Sequence, residues 1–407
     1  MSARRASCDL PINVLSSRMV CGSGAARLCR VIASPVLPAE RIEKMSKEAW
    51  QAVILIPSLE PDDRLPAYVD RLLEGGFCHV VIVDDGSSQK TQPIFDDLAS
   101  RQGVTVLHHD VNHGKGVALK TGYKWIEASL PEVSGVITAD ADGQHTVEDC
   151  VRLAKVLEEG EDALYLGSRD FDQPDVPPKS RKGNKITSAV FKALYGQYLP
   201  DTQTGLRAFR RKELGFMQEV KGERYEYEMN VLIACARRGL PMKAITIKTV
   251  YENNNEGTHF HPIRDSYRIY KVILGGFIKF MAASLASWVI DQGLTHLLFY
   301  QLLRLMGVPA DFMAPISTTV ARVVSAVCNF FMNKKLVFQS TKKTGSSGWR
   351  YALLALGIWA VSTGVTWGLE RVGVALWLGK LIIDILLYFV SYRVQQNWVF
   401  SDKEDHA

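Results

Sequence analysis

The sequence predicts an α/β domain, with a mainly parallel sheet covered by helices on both faces, followed by an all-α domain of four membrane-crossing helices. Three observations carry this prediction. Short apolar runs alternate with amphipathic helical stretches from Ala52 to about Leu166, polar motifs follow the runs directly, and beyond about Ile263 the sequence turns strongly apolar. With 407 residues the chain exceeds what one core usually supports, about 250 to 300 residues. A mean hydropathy near zero averages a charge-rich first part with an apolar second part.

Composition excludes some classes. The net charge of +5 is small for this length, and the basic residues form no stripe interleaved with aromatics, so nucleic acid is not an expected partner. The seven cysteines are odd in number, scattered and never paired as C-x-x-C, which predicts reduced thiols facing a cytoplasm and no structural zinc.

Residues 1–44 lack periodicity, contain Arg4, Arg5, Arg18, Arg27 and Arg30, and offer no continuous apolar run for a secretory signal. We expect a disordered extension or a misassigned start, with the folded chain beginning near Met45. Strands are then expected at Ala52 to Ile56, Val80 to Val83, Val104 to Leu107, Val136 to Thr138, Ala163 to Leu166 and Leu206 to Phe209. Helices are expected near Leu65 to Leu73, Val117 to Ala128 and Val147 to Leu157. The expected division is a cytoplasmic catalytic domain over 45–262, a juxtamembrane segment over 263–276, a membrane domain over 277–400 and a tail over 401–407.

Four stretches, near Phe277 to Leu303, Phe312 to Met332, Trp349 to Leu369 and Leu376 to Val394, each approach the ~20 helical residues that cross a bilayer. Lys334, Lys335, Lys342, Lys343 and Arg350 concentrate between the second and third, which places that loop, both termini and the catalytic domain on the cytoplasmic side. A bacterial inner membrane is the expected location. The block Asn329-Phe330-x-x-Asn333-Lys334-x-x-Val337-Phe338 is echoed by Ser391-Tyr392-x-x-Gln395-Gln396-x-x-Val399-Phe400, as two duplicated hairpins would produce. Asp291, Arg322 and Asp384 fall inside the spans. Charge there is costly, and counting ~1.5 Å per residue puts all three at similar depth, so a paired polar centre is expected.

Chemistry is concentrated where strands end. Asp140-Ala141-Asp142-Gly143-Gln144 leaves an apolar strand with two carboxylates at i and i+2, which cannot cheaply sit unpaired together, whereas a hard divalent cation takes such oxygens. Asp84-Asp85-Gly86-Ser87-Ser88 offers two acceptors suited to a base or ribose, an ordinary strand-to-helix turn being the alternative. Asn112-His113-Gly114-Lys115-Gly116 opens a helix where backbone N–H groups and Lys115 suit an anion, without the Walker A spacing. Gly167-Ser168-Arg169 and the later Arg181, Lys182 and Lys185 supply cations for phosphate, and Asp201-Thr202-Gln203-Thr204-Gly205-Leu206-Arg207 forms an acidic, hydroxyl-rich turn.

In this order the motifs resemble glycosyltransferase family 2, in its polyprenyl-phosphate branch with the dolichyl-phosphate mannosyltransferases, over about Ala52 to Tyr270. The resemblance implies a GT-A (Rossmann-like) fold, a nucleotide-sugar donor and a polyprenyl phosphate acceptor. Through it Pro57, Glu60, Asp84, Asp85, Lys115 and Asp140 are assigned to the donor; Asp140, Asp142 and Gln144 to Mg²⁺ or Mn²⁺; Arg169, Arg181 and Arg207 to the acceptor phosphate; and Asp142, Arg169 and Asp201 to catalysis. Leu59-Glu60-Pro61 departs from the family's usual Asn-Glu. The region from about Phe277 to Phe400 is similar to the GtrA-like membrane family, which implies assistance to the movement of lipid-linked sugars.

A phosphate monoester with a second pKa near ~6 is already anionic at neutral pH, so such a transfer requires no strong base, and direct displacement inverts the anomeric centre. Asp201, Glu226 and Glu228 become candidate bases if the acceptor is a hydroxyl. Two rival readings are a processive polysaccharide synthase, for which no Q-x-x-R-W motif is present, and a non-catalytic binding or transport protein, which would be expected to have lost Asp140 and Asp142.

Overall fold

The computed structural model describes residues 19–21, 27–33, 49–173, 176, 178–248, 262–371 and 376–401. These form two compact units, and the main division falls between Ile269 and Tyr270, inside the stretch read as juxtamembrane.

The first unit is built on one sheet. Its strands are β1 (Met19–Cys21), β2 (Arg27–Ala33), β3 (Ala52–Ser58), β4 (Val80–Asp84), β5 (Val104–His108), β6 (Gly135–Thr138), β7 (Leu164–Arg169), β8 (Arg207–Arg210) and β9 (Met242–Ile247). They lie in the order β1-β2-β5-β4-β3-β6-β8-β7-β9. The pairs β3/β4, β4/β5, β3/β6 and β7/β9 are parallel, whereas β8 runs antiparallel between β6 and β7. The chain therefore works outward from β3 to β5 and returns to β6 on the other side of β3. Such a reversal opens a crevice beyond the carboxyl ends of the strands. Because β8 is reversed, its first residue Arg207 pairs with Thr138, the last of β6, and the turn before β8 joins that same edge.

The apolar runs are strands because they are covered on both faces. Ile54, Ile56, Val80, Ile82, Val106 and Ile137 form one core with Leu65, Tyr68 and Leu72 of α1 (Arg64–Glu74), Phe95 and Leu98 of α2 (Gln92–Ala99), and Leu153 and Leu157 of α4 (Val147–Glu159). Alternate residues point the other way. There α3 (Lys115–Ser129) covers the sheet, its Tyr123 meeting Phe209 of β8 edge-on at 5.4 Å. Each large aliphatic side chain so buried contributes ~1.5–3 kcal/mol. The remaining helices of this unit are α5 (Pro178–Tyr195), α6 (Leu214–Glu219) and α7 (Glu226–Arg238).

Two expectations are corrected. Residues 1–44 were expected to be a disordered extension or a misassigned start, but the described residues among them, 19–21 and 27–33, are strands: β2 adds antiparallel to β5 and β1 pairs with β2. An edge strand's unpaired N–H and C=O groups accept any extended segment that can reach them, and short strands of this kind leave no periodicity to read. Cys78 is disulfide-bonded, whereas Cys150, Cys235 and Cys328 are free thiols. Spacing in sequence does not reveal which cysteines a fold brings together.

The second unit is helical: α8 (Pro262–Leu297), whose first turns are the expected juxtamembrane segment, α9 (Ala310–Met332), α10 (Thr344–Arg371) and α11 (Leu376–Val394). Among the described residues Ile269–Leu305, Ala310–Val337 and Thr344–Leu369 are long and apolar enough to cross a membrane. The fourth expected span is the 19-residue α11. Both repeat blocks end in a π-helical turn, Asn333–Val337 after α9 and Gln395–Val399 after α11. Phe338 and Phe400, which close the two turns, stack at 5.2 Å with their planes 22° apart.

Candidate active site

The carboxyl ends of β3 to β7 and the turn before β8 bring most of the predicted residues to one sheet edge. Asp140, two residues beyond β6, accepts from Lys115 Nζ at 2.7 Å and lies 3.2 Å from His145 Nε2. Burial opposes its ionisation, but Lys115 and His145 prevail and hold the carboxyl well below its ordinary range. A Cβ at Gly205 would lie 2.5 Å from Asp140 Oδ2, so any larger residue there would displace this carboxylate. Lys115 also reaches Glu228 Oε1 at 3.0 Å, at the start of α7. Glu228 was foreseen only as an alternative base, and its pairing with Lys115 spans too much sequence for any spacing rule to show.

Asp142 is different. Its Oδ1 accepts the backbone N–H of Gln144 at 3.0 Å, and it has no cation partner among the described residues. Burial first, and then the charge of Asp140, push its carboxyl above the usual range. Two carboxylates two residues apart, one under-compensated, suit a divalent cation. Among the described residues no three His, Cys, Asp or Glu side chains converge, so the amide of Gln144, substrate oxygens or water would complete such a set.

Asp84 and Asp85 are buried, with 1% and 3% exposure. Asp84 accepts from Ser87 N, from Gln92 Nε2 and from His108 Nδ1 at 2.9 Å. Burial resists its ionisation, yet these bonds hold its pKa at about 2. Asp85 takes the backbone N–H groups of His113 and Gly114 and lies 2.8 Å from His109 Nδ1. The Gly-rich loop thus gives two of its N–H groups to Asp85 and not to an open anion site. Gly114 has φ 101°, and a Cβ there would meet Glu223 O at 2.6 Å. His108 and His109 were missed by sequence reasoning. Their signal was positional, since Asp84 and His108 are register partners on adjacent parallel strands.

Glu60, one of the described non-glycine residues with positive φ, at 50°, accepts from Ser88 N at 2.6 Å and from Ser88 Oγ at 3.0 Å. It ties the loop after β3, beyond the half-buried Pro57, to the turn after β4.

On the other side of the site Arg169 at the end of β7 grips Asp201 with two bonds, Nε to Oδ2 at 2.7 Å and Nη2 to Oδ1 at 3.3 Å. Arg181 holds the preceding loop by donating to the carbonyls of Phe171 and Gln173. With Pro178, Lys182, Lys185, Ile186 and Ala189 it lines a groove of about 390 Å³ that mixes cationic and apolar surface. Arg207 does not join them in the open. It is 5% exposed and donates to the carbonyls of Thr204 and Glu228, joining β8 to α7.

In the helical unit the three expected charges form two separate pairs. Arg322 Nη2 lies 3.5 Å from Asp291 Oδ2, and Ser325 Oγ donates to Asp291 Oδ1 at 3.1 Å. Asp384 instead pairs with Lys380 one turn earlier at 3.0 Å and accepts from Ser362 at 2.8 Å.

The sequence model described as Glycosyl transferase family 2 matches residues 53–215, and that described as GtrA/DPMS, transmembrane domain, matches residues 294–400. An uncharacterized protein of Methanocaldococcus jannaschii is 31% identical over 242 residues, covering 58% of this chain and 95% of that protein. A UDP-N-acetylglucosamine–dolichyl-phosphate N-acetylglucosaminyltransferase of Methanococcus voltae is 28% identical over 49% of this chain and 85% of its own length. A dolichol-phosphate mannosyltransferase of Pyrococcus furiosus is 24% identical over 84% of this chain and 97% of its own.

Proposed function

The chain belongs to glycosyl transferase family 2 and carries a GtrA/DPMS transmembrane domain, and from that premise we propose that it transfers a sugar from a nucleotide-sugar to a polyprenyl phosphate at the cytoplasmic face of a membrane. The relatives named as dolichyl-phosphate glycosyltransferases support the acceptor class. The observation that carries the reading is the pair Asp140 and Asp142 at the sheet edge, the first paired with Lys115 and the second without an ion-pair partner among the described residues.

Asp140 and Asp142 would hold a Mg²⁺ or Mn²⁺ ion, which neutralises charge on the departing diphosphate and orients it. Lys115 bridges Asp140 and Glu228 and supplies a positive charge at the border of the site. Asp85, by fixing His113 and Gly114, keeps the helix start that carries Lys115 in place. The planar guanidinium of Arg169, held in a two-bond fork by Asp201, is preset to offer its remaining N–H groups to a phosphate. The groove with Arg181, Lys182 and Lys185 beside Ile186 and Ala189 suits a phosphate attached to a hydrocarbon.

The ion pairs also bear on the acceptor. Asp201 and Glu228, two of the carboxylates able to act as a base, are engaged by Arg169 and Lys115. A phosphate nucleophile, already anionic near neutral pH, requires neither. Direct attack by it inverts the anomeric centre. Incubating membranes that contain the protein with a panel of nucleotide-sugars and polyprenyl phosphate, followed by mass analysis of the lipids, tests the reading. A lipid phosphate heavier by one sugar residue is expected. Nucleotide release with the sugar on a hydroxyl acceptor instead would overturn it.

A further inference from the structure

Lys115 makes two ion pairs at once, to Asp140 at 2.7 Å and to Glu228 at 3.0 Å, and its ammonium is largely shielded from solvent. Asp140 and Glu228 lie far apart in sequence, on the end of β6 and the first turn of α7, and this one amine bridges them. An ammonium and a divalent cation cannot both sit close to one carboxylate without strong mutual repulsion. The bridge leaves the amine a second anionic partner within reach.

We propose that Lys115 is a resident counter-ion for Asp140: it holds this carboxylate in place before the divalent cation arrives, and Glu228 retains the ammonium when the cation displaces it. The inference rests on the reading of Asp140 and Asp142 as cation ligands. Three features of the geometry support it. Asp142 lacks a cation partner among the described residues while Asp140 has one, so the pair is half-neutralised in advance. Gly205 packs directly on Asp140, so the carboxylate has little freedom to swing toward another partner. Lys115 is the first residue of α3, where a small change in side-chain torsion moves the amine between its two partners without moving the helix. Glu228 is thereby a positioning residue, acting through Lys115.

The test is direct Mn²⁺ binding to the full-length protein in detergent without nucleotide, read by the electron-spin resonance of the free ion. Lys115→Met should tighten binding by about tenfold or more, through loss of the competing charge. Glu228→Gln should weaken it several-fold, because the ammonium is then left to Asp140 alone. The double variant separates exchange from simple charge addition. If Glu228 acts only through Lys115, the double variant binds as tightly as Lys115→Met, whereas independent charge effects would return it toward the wild type. Lys120→Met, which removes a nearby charge bonded to Gly222 O, should leave binding unchanged. Lys115→Gln serves if the methionine variant fails to fold. Wild-type protein that binds no Mn²⁺ would overturn the cation reading itself. Mn²⁺ binding that is indifferent to Lys115→Met, or a double variant that behaves as the sum of the singles, would overturn the exchange alone.

Discussion

Asn333 and Gln395 hold equivalent places in two copies of one sequence pattern, and they are bonded to each other, Asn333 Nδ2 donating to Gln395 Oε1 at 3.0 Å. Each also bonds back four residues to its equivalent neighbour, Asn333 to Asn329 at 2.5 Å and Gln395 to Ser391 at 3.0 Å. Each π turn closes in the same way, with Phe338 N donating to Asn333 O and Phe400 N donating to Gln395 O, both at 2.9 Å. Ring contacts cross over reciprocally, Phe330 with Phe400 and Tyr392 with Phe338, as around a local two-fold. The internal repeat thus has a physical counterpart: the two blocks are each other's partners.

Asn333→Leu should accordingly destabilise the membrane domain by ~1–3 kcal/mol, since it strands the buried acceptor on Gln395. Gln395→Leu should have a similar effect, and the double variant less than the sum of the two. Thermal unfolding in detergent, followed by tryptophan fluorescence, measures this. Strictly additive losses would show that the bond contributes nothing.

At the sheet edge, Asp140→Asn or Asp142→Asn should lower transfer by roughly 10²-fold or more, the scale of losing one electrostatic stabiliser, with folding and membrane insertion intact. Chelator should reduce the wild type to a similar level. Undiminished turnover in chelator would remove the metal from the mechanism.

Asp84 gives a pH dependence with a defined sign. Its carboxyl is held at about 2, against ~3.9 when unfolded, so its contribution, about 2 kcal/mol, is complete above pH ~4 and is lost as pH falls through about 2. Asp84→Asn should be less stable than wild type at neutral pH by about that amount, and the gap should close in acid. Denaturant midpoints over a pH series would reveal this, and a gap that is constant with pH would show that Asp84's ionisation is not the cause.

Much of this architecture is legible in sequence, for stated reasons. The run Ala52 to Ile56 is a strand because it is buried on both faces, and Val147 to Leu157 is a helix because Leu153 and Leu157 face the core. The carboxylates announce themselves because they follow strands. Partners brought together by register or by crossing helices do not: His108 beside Asp84, Glu228 beside Lys115, and Arg207 buried under α7. For the same reason Asp84, Asp85 and Glu60 read as free ligands in sequence, yet in the fold they organise neighbouring loops.

A chain beginning at Met45 lacks β1 and β2 but retains every strand that carries a motif. It should keep membrane location and transfer, while exposing the edge of β5 and becoming more prone to associate. Transfer assays and light scattering on the shortened protein separate these two effects. Loss of folding on truncation would make the added strands structural.

The pair Arg322 and Asp291 yields the last prediction, through its asymmetry. Asp291 is buried and held by Ser325, whereas the Arg322 side chain is 78% exposed on an apolar helix. Removing the arginine leaves a buried carboxylate facing only a hydroxyl, its charge uncompensated. Removing the acid's charge leaves a long cationic side chain that can extend toward a polar boundary. Arg322→Leu should therefore damage the membrane domain more than Asp291→Asn, which retains an acceptor for Ser325. Combining Arg322→Leu with Asp291→Asn should recover most of the loss, because no unpaired charge remains. Sugar transfer should survive in all three if the catalytic unit acts independently. Melting temperatures in detergent beside transfer rates on the same preparations decide the matter: equal damage from the two single variants would mean that the pair is a surface contact without a buried partner.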